Sequence, residues 1–325
     1  MYTSIVVPLD GTPFSKQALA LAIALALRSR AALHLVHVHE PPVRSGGAPF
    51  ADTMLDNELH REEQEALELL AAELRQNTSL QVDATRIGGE GAAALGHYVD
   101  THRSDLIVMM SHGRGGFARA WMGSFTDQLV RHTSVPLLLV HPGAEWPADL
   151  DEPLFRHVMV PLDGSRFGDD VLDHAISLAT PERTTFTLIT VVVPPTALAY
   201  PDIRSQTFVD ASYVDTQRSA AEAHLNARAT ELRESGARVD TLLLTHPRPA
   251  QAILDAADEH HVDAIALSTH GRGAVERLVL GSVADELIRR ANVPVLVHRP
   301  AGGHESPNGD AQADVATELE LLKRS

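Results

Sequence analysis

The chain of 325 residues contains no cysteine, only two lysines and 4% aromatic residues. The absence of cysteine excludes disulfide bonds, thiolate metal sites and thiol catalysis. Lys16 and Lys323 both stand outside the glycine-rich segments. A phosphate-binding loop of the GxxxxGK[ST] type is therefore excluded. Because aromatic residues are few, the core must be built mostly from Ala, Val and Leu.

Long apolar runs are also missing, since the longest, residues 18–27, is too short to span a bilayer. The chain opens on Ile5-Val6-Val7-Pro8-Leu9, which is typical of a strand and not of a secretory leader. The formal net charge of −16 opposes binding to nucleic acid and to anionic membranes. We therefore expect a cytoplasmic protein that has neither nucleic acid nor membrane as a partner.

What the sequence does contain is an internal repeat. Residues 111–142 recur at 269–300 with 14 of 32 positions identical, and each copy carries His-Gly-Arg-Gly and a later Gly-Ser. The opening segment Val7–Thr12 recurs as Val160–Ser165. A chain of this length suits two domains, so we interpret the repeat as a duplicated domain. The expected divisions are a first domain at 1–142, a linker at 143–154, a second domain at 155–300 and a disordered acidic tail at 301–325.

Within each half, short β-branched runs alternate with longer amphipathic segments. Runs such as Leu106-Ile107-Val108-Met109-Met110 are apolar without alternation, as expected when both faces of a sheet are covered. Regular alternation of strand and helix predicts an α/β fold with two tandem doubly wound domains. We expect each domain to hold a five-stranded parallel sheet of order 3-2-1-4-5, flanked by helices.

The duplicated glycine segments stand where a strand passes into a helix. Open parallel sheets bind ligands at the carboxyl ends of their strands, where the winding reverses, here between strands 1 and 4. Asp10 and Asp163 end the first strand of each half and should face the glycine segment of that half. The helix that begins at Ser124 or Ser282 offers N–H groups that favour a phosphate.

These residues resemble the nucleotide motif of the universal stress protein family: glycine, two residues, glycine, nine residues, glycine, then Ser or Thr. Gly113 and Gly271 match its second glycine. The third glycine and the hydroxyl that follows it are matched by Gly123 and Ser124 in the first half and by Gly281 and Ser282 in the second. The resemblance covers both halves. It implies an adenine-nucleotide ligand, ATP, which could carry Mg²⁺, and an intramolecular pseudo-dimer through the closing edge strands at 135–140 and 293–298.

The resemblance also implies roles for single residues. Asp10 and Asp163 would contact adenine, and Val38 and Val191 would form its wall. The other candidate site residues are Arg114, Phe125 and Thr126 in the first half and Arg272 and Val283 in the second. The two arginines would either pair with phosphate or face solvent. His112 and His270 would either position the loop or transfer a proton.

Both copies depart from the family pattern at its first glycine, which is Met110 in one half and Ser268 in the other. A side chain there narrows the crevice near the ribose, although Ser268 is small enough to bond a ribose hydroxyl. The hydroxyl of Thr126 is replaced by Ala284. We therefore expect two unequal sites, and the sequence leaves open which of them binds.

The leading hypothesis is an ATP-binding stress-response sensor or regulator, a weak ATPase at most. The alternative is a stress-response scaffold whose sites have diverged and bind no nucleotide. An adenylyl-transferring enzyme is disfavoured because the HxGH signature is missing. His37 and His39 share one face of strand 2, but without HExxH or a counterpart in the other half we expect no metal site. A homodimer through the closing edge strands or the linker region is left open.

Overall fold

The computed structural model describes residues 1–39, 51–111, 124–144, 146–147, 149–194, 211–269 and 280–300. The predicted acidic tail lies outside these ranges. In the described part of the chain the strands are β1 (Ser4–Leu9), β2 (Ala32–His39), β3 (Val82–Gly88), β4 (Leu106–Met110), β5 (Leu137–Val140), β6 (His157–Pro161), β7 (Thr185–Val192), β8 (Arg238–Thr245), β9 (Ala264–Ser268) and β10 (Val295–His298). The helices are α1 (Ala18–Ser29), α2 (Ala51–Asn77), α3 (Gly91–His102), α4 (Ser124–His132), α5 (Arg166–Asp169), α6 (Val171–Leu178), α7 (Ala211–Glu234), α8 (Pro249–Glu259) and α9 (Ser282–Arg290).

A single ten-stranded sheet runs through both halves in the order β3-β2-β1-β4-β5-β10-β9-β6-β7-β8. Each half therefore has the predicted order, and its own strand pairs are all parallel. The predicted pairing of the closing strands is confirmed, because β5 and β10 join antiparallel with Leu138 opposite Leu296. Both closing strands thus have a neighbour on each side and are unavailable to a second copy. A homodimer through the linker region stays a prediction.

The apolar strands are buried because helices cover both faces of the sheet. Every residue of β4, β5 and β10 is buried. One core layer contains side chains of α1, α2, α6 and α7, and the other contains side chains of α3, α4, α8 and α9. Each layer includes residues of both halves, so the duplicated domains share two continuous cores. No helix in the described ranges combines the length and apolar character that a membrane span requires.

A repeated aspartate holds the start of the first strand in each half. The Asp105 carboxylate accepts from the backbone N–H groups of Thr3 and Ser4, at 2.7 and 2.9 Å. Asp263 accepts in the same way from Arg156 and His157, at 2.8 and 3.1 Å. Charge-assisted bonds of this kind are among the stronger ones in proteins. They fix the register of β1 beside β4, and of β6 beside β9, before the strands reach the candidate site.

Two histidines meet near the end of β10. The rings of His174 and His298 lie with centroids 4.3 Å apart, and His298 is only 8% exposed. Burial lowers the pKa of His298 to about 4, and the neighbouring His174 contributes to the shift. Burial also lowers the pKa of His174. The folded protein therefore keeps this pair neutral at pH values where an unfolded histidine takes up a proton.

We expect this pair to make the protein less stable in mild acid. The pKa of His298 is lower in the folded than in the unfolded state. Its contribution to the free energy of unfolding is therefore fully present above pH 6.5 and is lost as the pH falls towards 4. The loss at pH 5 is about 2 kcal/mol from His298 alone. Urea unfolding at pH 7.5 and pH 5 should show this difference, and His298→Leu should remove most of it. An equal pH dependence in the variant would contradict the assignment.

Candidate functional site

The two halves open at the same place in their sheets. The ladder between β1 and β4 contains only the pairs Ile5–Leu106 and Val6–Ile107, whereas the ladder between β1 and β2 continues to Leu9. The ladder between β6 and β9 is equally short. Beyond these pairs no further ladder pair joins the described ends of the strands, at the place where a doubly wound sheet opens a crevice. Such a crevice at the switch point of a doubly wound sheet is the usual ligand site of this fold.

Asp10 stands at the mouth of the first crevice in a fixed orientation. Its Oδ1 accepts from the backbone N–H of Thr12 at 2.9 Å and from the Thr12 hydroxyl at 2.6 Å. Burial raises the pKa of Asp10, but the hydrogen bonds from Ser15 and Thr12 together lower it by more. The pKa of Asp10 is therefore below its ordinary value. The carboxylate is therefore an ionised acceptor at neutral pH.

Asp163 takes the same position in the second half. Its Oδ1 accepts from the backbone N–H of Ser165 at 3.0 Å and from the Ser165 hydroxyl at 2.6 Å. A Cβ added at Gly168 would stand 2.6 Å from this oxygen, so glycine is needed there. The position of Gly168 corresponds to Ser15 in the first half. The sequence analysis did not identify Gly168, Ser15 or the hydroxyls of Thr12 and Ser165 as site residues. A hydroxyl residue two positions after each aspartate was the signal that could have indicated them.

The ends of β4 and β9 differ in a way that bears on the ligand. Met110 is 5% exposed and belongs to the core layer formed with α1 and α2. Ser268 keeps its Oγ buried, with no hydrogen-bond partner among the residues that the structure describes. A buried hydroxyl without a partner costs about 1–3 kcal/mol, so a group supplied by a ligand would recover that energy. The second half has a polar group to offer where the first half has a packed thioether.

Helix α9 begins directly at the second crevice. Gly281 precedes it, and the N–H of Gly281 donates to the carbonyl of Thr269, just after β9, at 3.2 Å. The first bond within the helix runs from Asp285 N to Gly281 O at 2.9 Å. The N–H groups of the three residues between them therefore point out of the first turn, as at any helix start. Donors of this kind at a helix start favour an anion, and these stand near the end of β9.

Several predicted site residues lie beyond what the structure describes. These are Gly113, Arg114, Gly123, Gly271 and Arg272, together with the side chain of Ser124. Phe125 and Val283, in the first turns of α4 and α9, pack against the same core layer as Val38 and Val191. Thr126 is buried, with 3% of its surface exposed. By their places in the sheet, Asp163, Ser268 and the start of α9, which includes Ser282, lie at the carboxyl end of the strands of the second half, and Asp10 and Met110 lie at that of the first.

A polar cluster lies beside the first crevice, on the face that α2 covers. Glu63 of α2 has one carboxylate oxygen 3.4 Å from His37 Nε2 and the other 3.1 Å from His39 Nδ1. Arg86 of β3 donates from Nε to Glu63 at 2.9 Å. Burial raises the pKa of Glu63, but Arg86 and the histidines lower it by more. The sequence indicated the two histidines but not Glu63, which lies on another element.

Comparison with known proteins agrees with the repeat and the fold. A family model described as "Universal stress protein family" matches residues 1–141 and again 154–299. A universal stress protein of Mycolicibacterium smegmatis is 26% identical over 303 residues, covering 91% of this chain and 97% of that protein. One from Mycobacterium tuberculosis is 26% identical over 200 residues, 61% of this chain; the chain spans 63% of that relative's length.

Solved structures support the fold. A universal stress protein from Archaeoglobus fulgidus superposes with a TM-score of 0.65 at 17% identity, covering 92% of this chain and 96% of that one. At this identity the likeness concerns the fold alone. The family model, matched twice across most of the chain, decides the matter: the chain belongs to the universal stress protein family, with two family domains in tandem.

Proposed function

We propose that the protein binds ATP in the crevice of its second half and acts in the cytoplasm as a stress-response sensor or regulator. The observation that carries this proposal is the buried Ser268 Oγ, which has no partner within the described part of the chain, together with the nearby start of α9. A ribose hydroxyl would satisfy the serine, and the N–H groups of the first turn would receive the phosphates. Asp163, held by Ser165, would accept a hydrogen bond from the adenine amino group.

The first half is the weaker candidate for nucleotide. Met110 fills the position of Ser268 and is packed into the core, so a ribose there would have to displace a buried side chain. This observation favours the alternative function for the first half, a scaffold without nucleotide. We propose one ATP for each chain. The glycine segments contain no lysine, so we propose retention of ATP with slow hydrolysis at most, and leave Mg²⁺ as a possible companion of the phosphates.

The experiment is to denature the purified protein and to identify released nucleotide by ultraviolet absorbance and mass spectrometry, followed by calorimetric titration of the emptied protein. We expect close to one mole of ATP for each mole of chain. If ATP is present at a hundred times its Kd, the folded state gains about 2.7 kcal/mol, which gives a clear rise in Tm. Lack of copurified nucleotide together with an unchanged Tm in millimolar ATP would refute the proposal and leave the scaffold function.

A further inference from the structure

The cluster of His37, His39 and Glu63 has the composition of a metal site. One ligand atom from each of the three lies within 4.8 Å of the others. All three side chains are at least partly buried, and two imidazoles with one carboxylate are a set that zinc uses when it has three protein ligands. Exposed acidic groups often gather without a cation, but this cluster pairs one carboxylate with two imidazoles beneath a helix.

The hydrogen bond on the other side of the His37 ring fixes which nitrogen is available. Nδ1 of His37 lies 2.8 Å from the carbonyl oxygen of Leu9. Because a carbonyl can only accept, Nδ1 carries a hydrogen, which leaves Nε2 as the ring nitrogen that faces Glu63. A backbone carbonyl behind the ring is the partner that metal-bound histidines commonly have. The ring is therefore held in an orientation that turns Nε2 towards the position proposed for a metal.

The distance from His37 to Glu63 is longer than a direct hydrogen bond, whereas His39 Nδ1 and Glu63 Oε2 are hydrogen-bonded. His37 Nε2 and Glu63 Oε1 are 3.4 Å apart, which is longer than the usual range for N–H···O bonds. Ligand atoms around tetrahedral zinc lie about 3.3 Å from one another, given bonds of about 2.0–2.1 Å. The pair formed by His39 Nδ1 and Glu63 Oε2, at 3.1 Å, is also near that edge length.

Arg86 contacts only one of the two oxygens of the Glu63 carboxylate. Its Nε donates to Oε2 of Glu63, while Oε1 faces His37. The arginine thus anchors the carboxylate from behind, as outer residues do for metal-bound carboxylates. Its positive charge lowers the affinity for a cation, so the site should be weaker than a closed structural zinc site.

The second half provides an internal comparison. There Thr190 replaces His37, and its hydroxyl donates to the carbonyl of Leu162 at 2.8 Å. Leu162 is the counterpart of Leu9, so this bond is equivalent to the one that His37 makes in the first half. Val192 takes the position of His39, and Leu243 lies opposite Thr190 where Arg86 lies opposite His37. The duplicated fold thus exists with apolar residues and a hydroxyl in this place. The His37→Thr/His39→Val pair therefore has a precedent in the second half of the same chain.

From this geometry we propose that His37, His39 and Glu63 bind one Zn²⁺ at the carboxyl end of β2, with a fourth position left for water. Two imidazole nitrogens select zinc over Mg²⁺, which prefers oxygen ligands. The proposal concerns the first half only. It is independent of ATP binding, and it replaces the expectation from sequence that there is no metal site.

The test is calorimetric titration of the metal-free, nucleotide-free full chain with Zn²⁺, and the visible spectrum of the Co²⁺ form. We expect one equivalent to bind and tetrahedral Co²⁺ bands to appear. His37→Thr/His39→Val, which installs the residues of the second half, should raise the Kd at least tenfold or abolish binding. Glu63→Gln should weaken binding as well, which keeps the test valid if the double variant folds poorly.

The chain has 18 histidines, so surface binding is the rival explanation. The matched control is His97→Ala/His260→Ala, which removes two exposed histidines and should leave the one-equivalent site unchanged. The absence of stoichiometric binding would overturn the proposal. So would equal Zn²⁺ affinity in the wild type and in His37→Thr/His39→Val.

Discussion

Replacement of Gly281 by valine should lower the affinity for ATP at least a hundredfold. A Cβ at this position would lie 3.3 Å from the carbonyl oxygen of Thr269, so the start of α9 must move away from the end of β9. The branches of valine would also enter the space in front of the first-turn N–H groups. Both effects act on the contacts proposed for the phosphates, and a shift of 2.7 kcal/mol corresponds to about a hundredfold.

The same substitution at the corresponding glycine of the first half, Gly123→Val, is the matched control. If the second half holds the nucleotide, that variant should keep one equivalent of ATP with nearly unchanged Kd. The Tm of each variant without nucleotide shows whether the fold survives; the backbone of Gly281, with φ of −59° and ψ of 143°, suits valine. Calorimetric titration decides the matter. Full binding by Gly281→Val would refute the site, and loss only in Gly123→Val would move it to the first half.

Leu296→Ala should destabilise the whole protein by about 3–4 kcal/mol. Leu296 is fully buried on β10 and lies opposite Leu138 of β5, where the two halves join. Removing its side chain leaves a cavity in a sheet centre that has little freedom to collapse, and such losses for buried leucines are about 2–5 kcal/mol. The urea midpoint should fall while the m-value stays unchanged.

Leu69→Ala is the control for this prediction, since Leu69 on α2 is 72% exposed. It should change stability by less than about 0.5 kcal/mol. Leu138→Ala should cost about as much as Leu296→Ala, and the double variant should cost less than the sum because the two side chains share one contact. Additive losses would show that the halves are not energetically joined at this pair.

Much of the fold could be predicted from residues that recur. The order of the strands followed from alternating apolar and amphipathic segments, and the junction of β5 with β10 followed from the family resemblance. Asp105 and Asp263 could also have been found, because each directly precedes an apolar strand in its half. Repetition makes such residues visible since both copies obey the same local geometry.

Residues that act through another element were harder to predict. Glu63 lies 24 positions after His39, on a different element. The sequence does not determine how that helix is rotated about its axis, and therefore which of its side chains face β2. The burial of Met110 depends on how α1 and α2 pack over the sheet, and spacing along the chain carries no such information. Gly168 matters because it lies close to the Asp163 carboxylate, which is a property of three-dimensional approach.

The antiparallel junction of β5 and β10 also determines how two bound anions would sense each other. Because the two halves run antiparallel, the carboxyl ends of their strands, and with them the two crevices, lie at opposite ends of the strands. Across the sheet the crevices are four strands apart, or about 20 Å at the usual strand spacing. At physiological ionic strength charges are screened over about 8 Å, so one triphosphate would scarcely repel another. Any difference in occupancy between the halves therefore reflects the residues around each crevice, and binding to one leaves the other electrostatically unaffected.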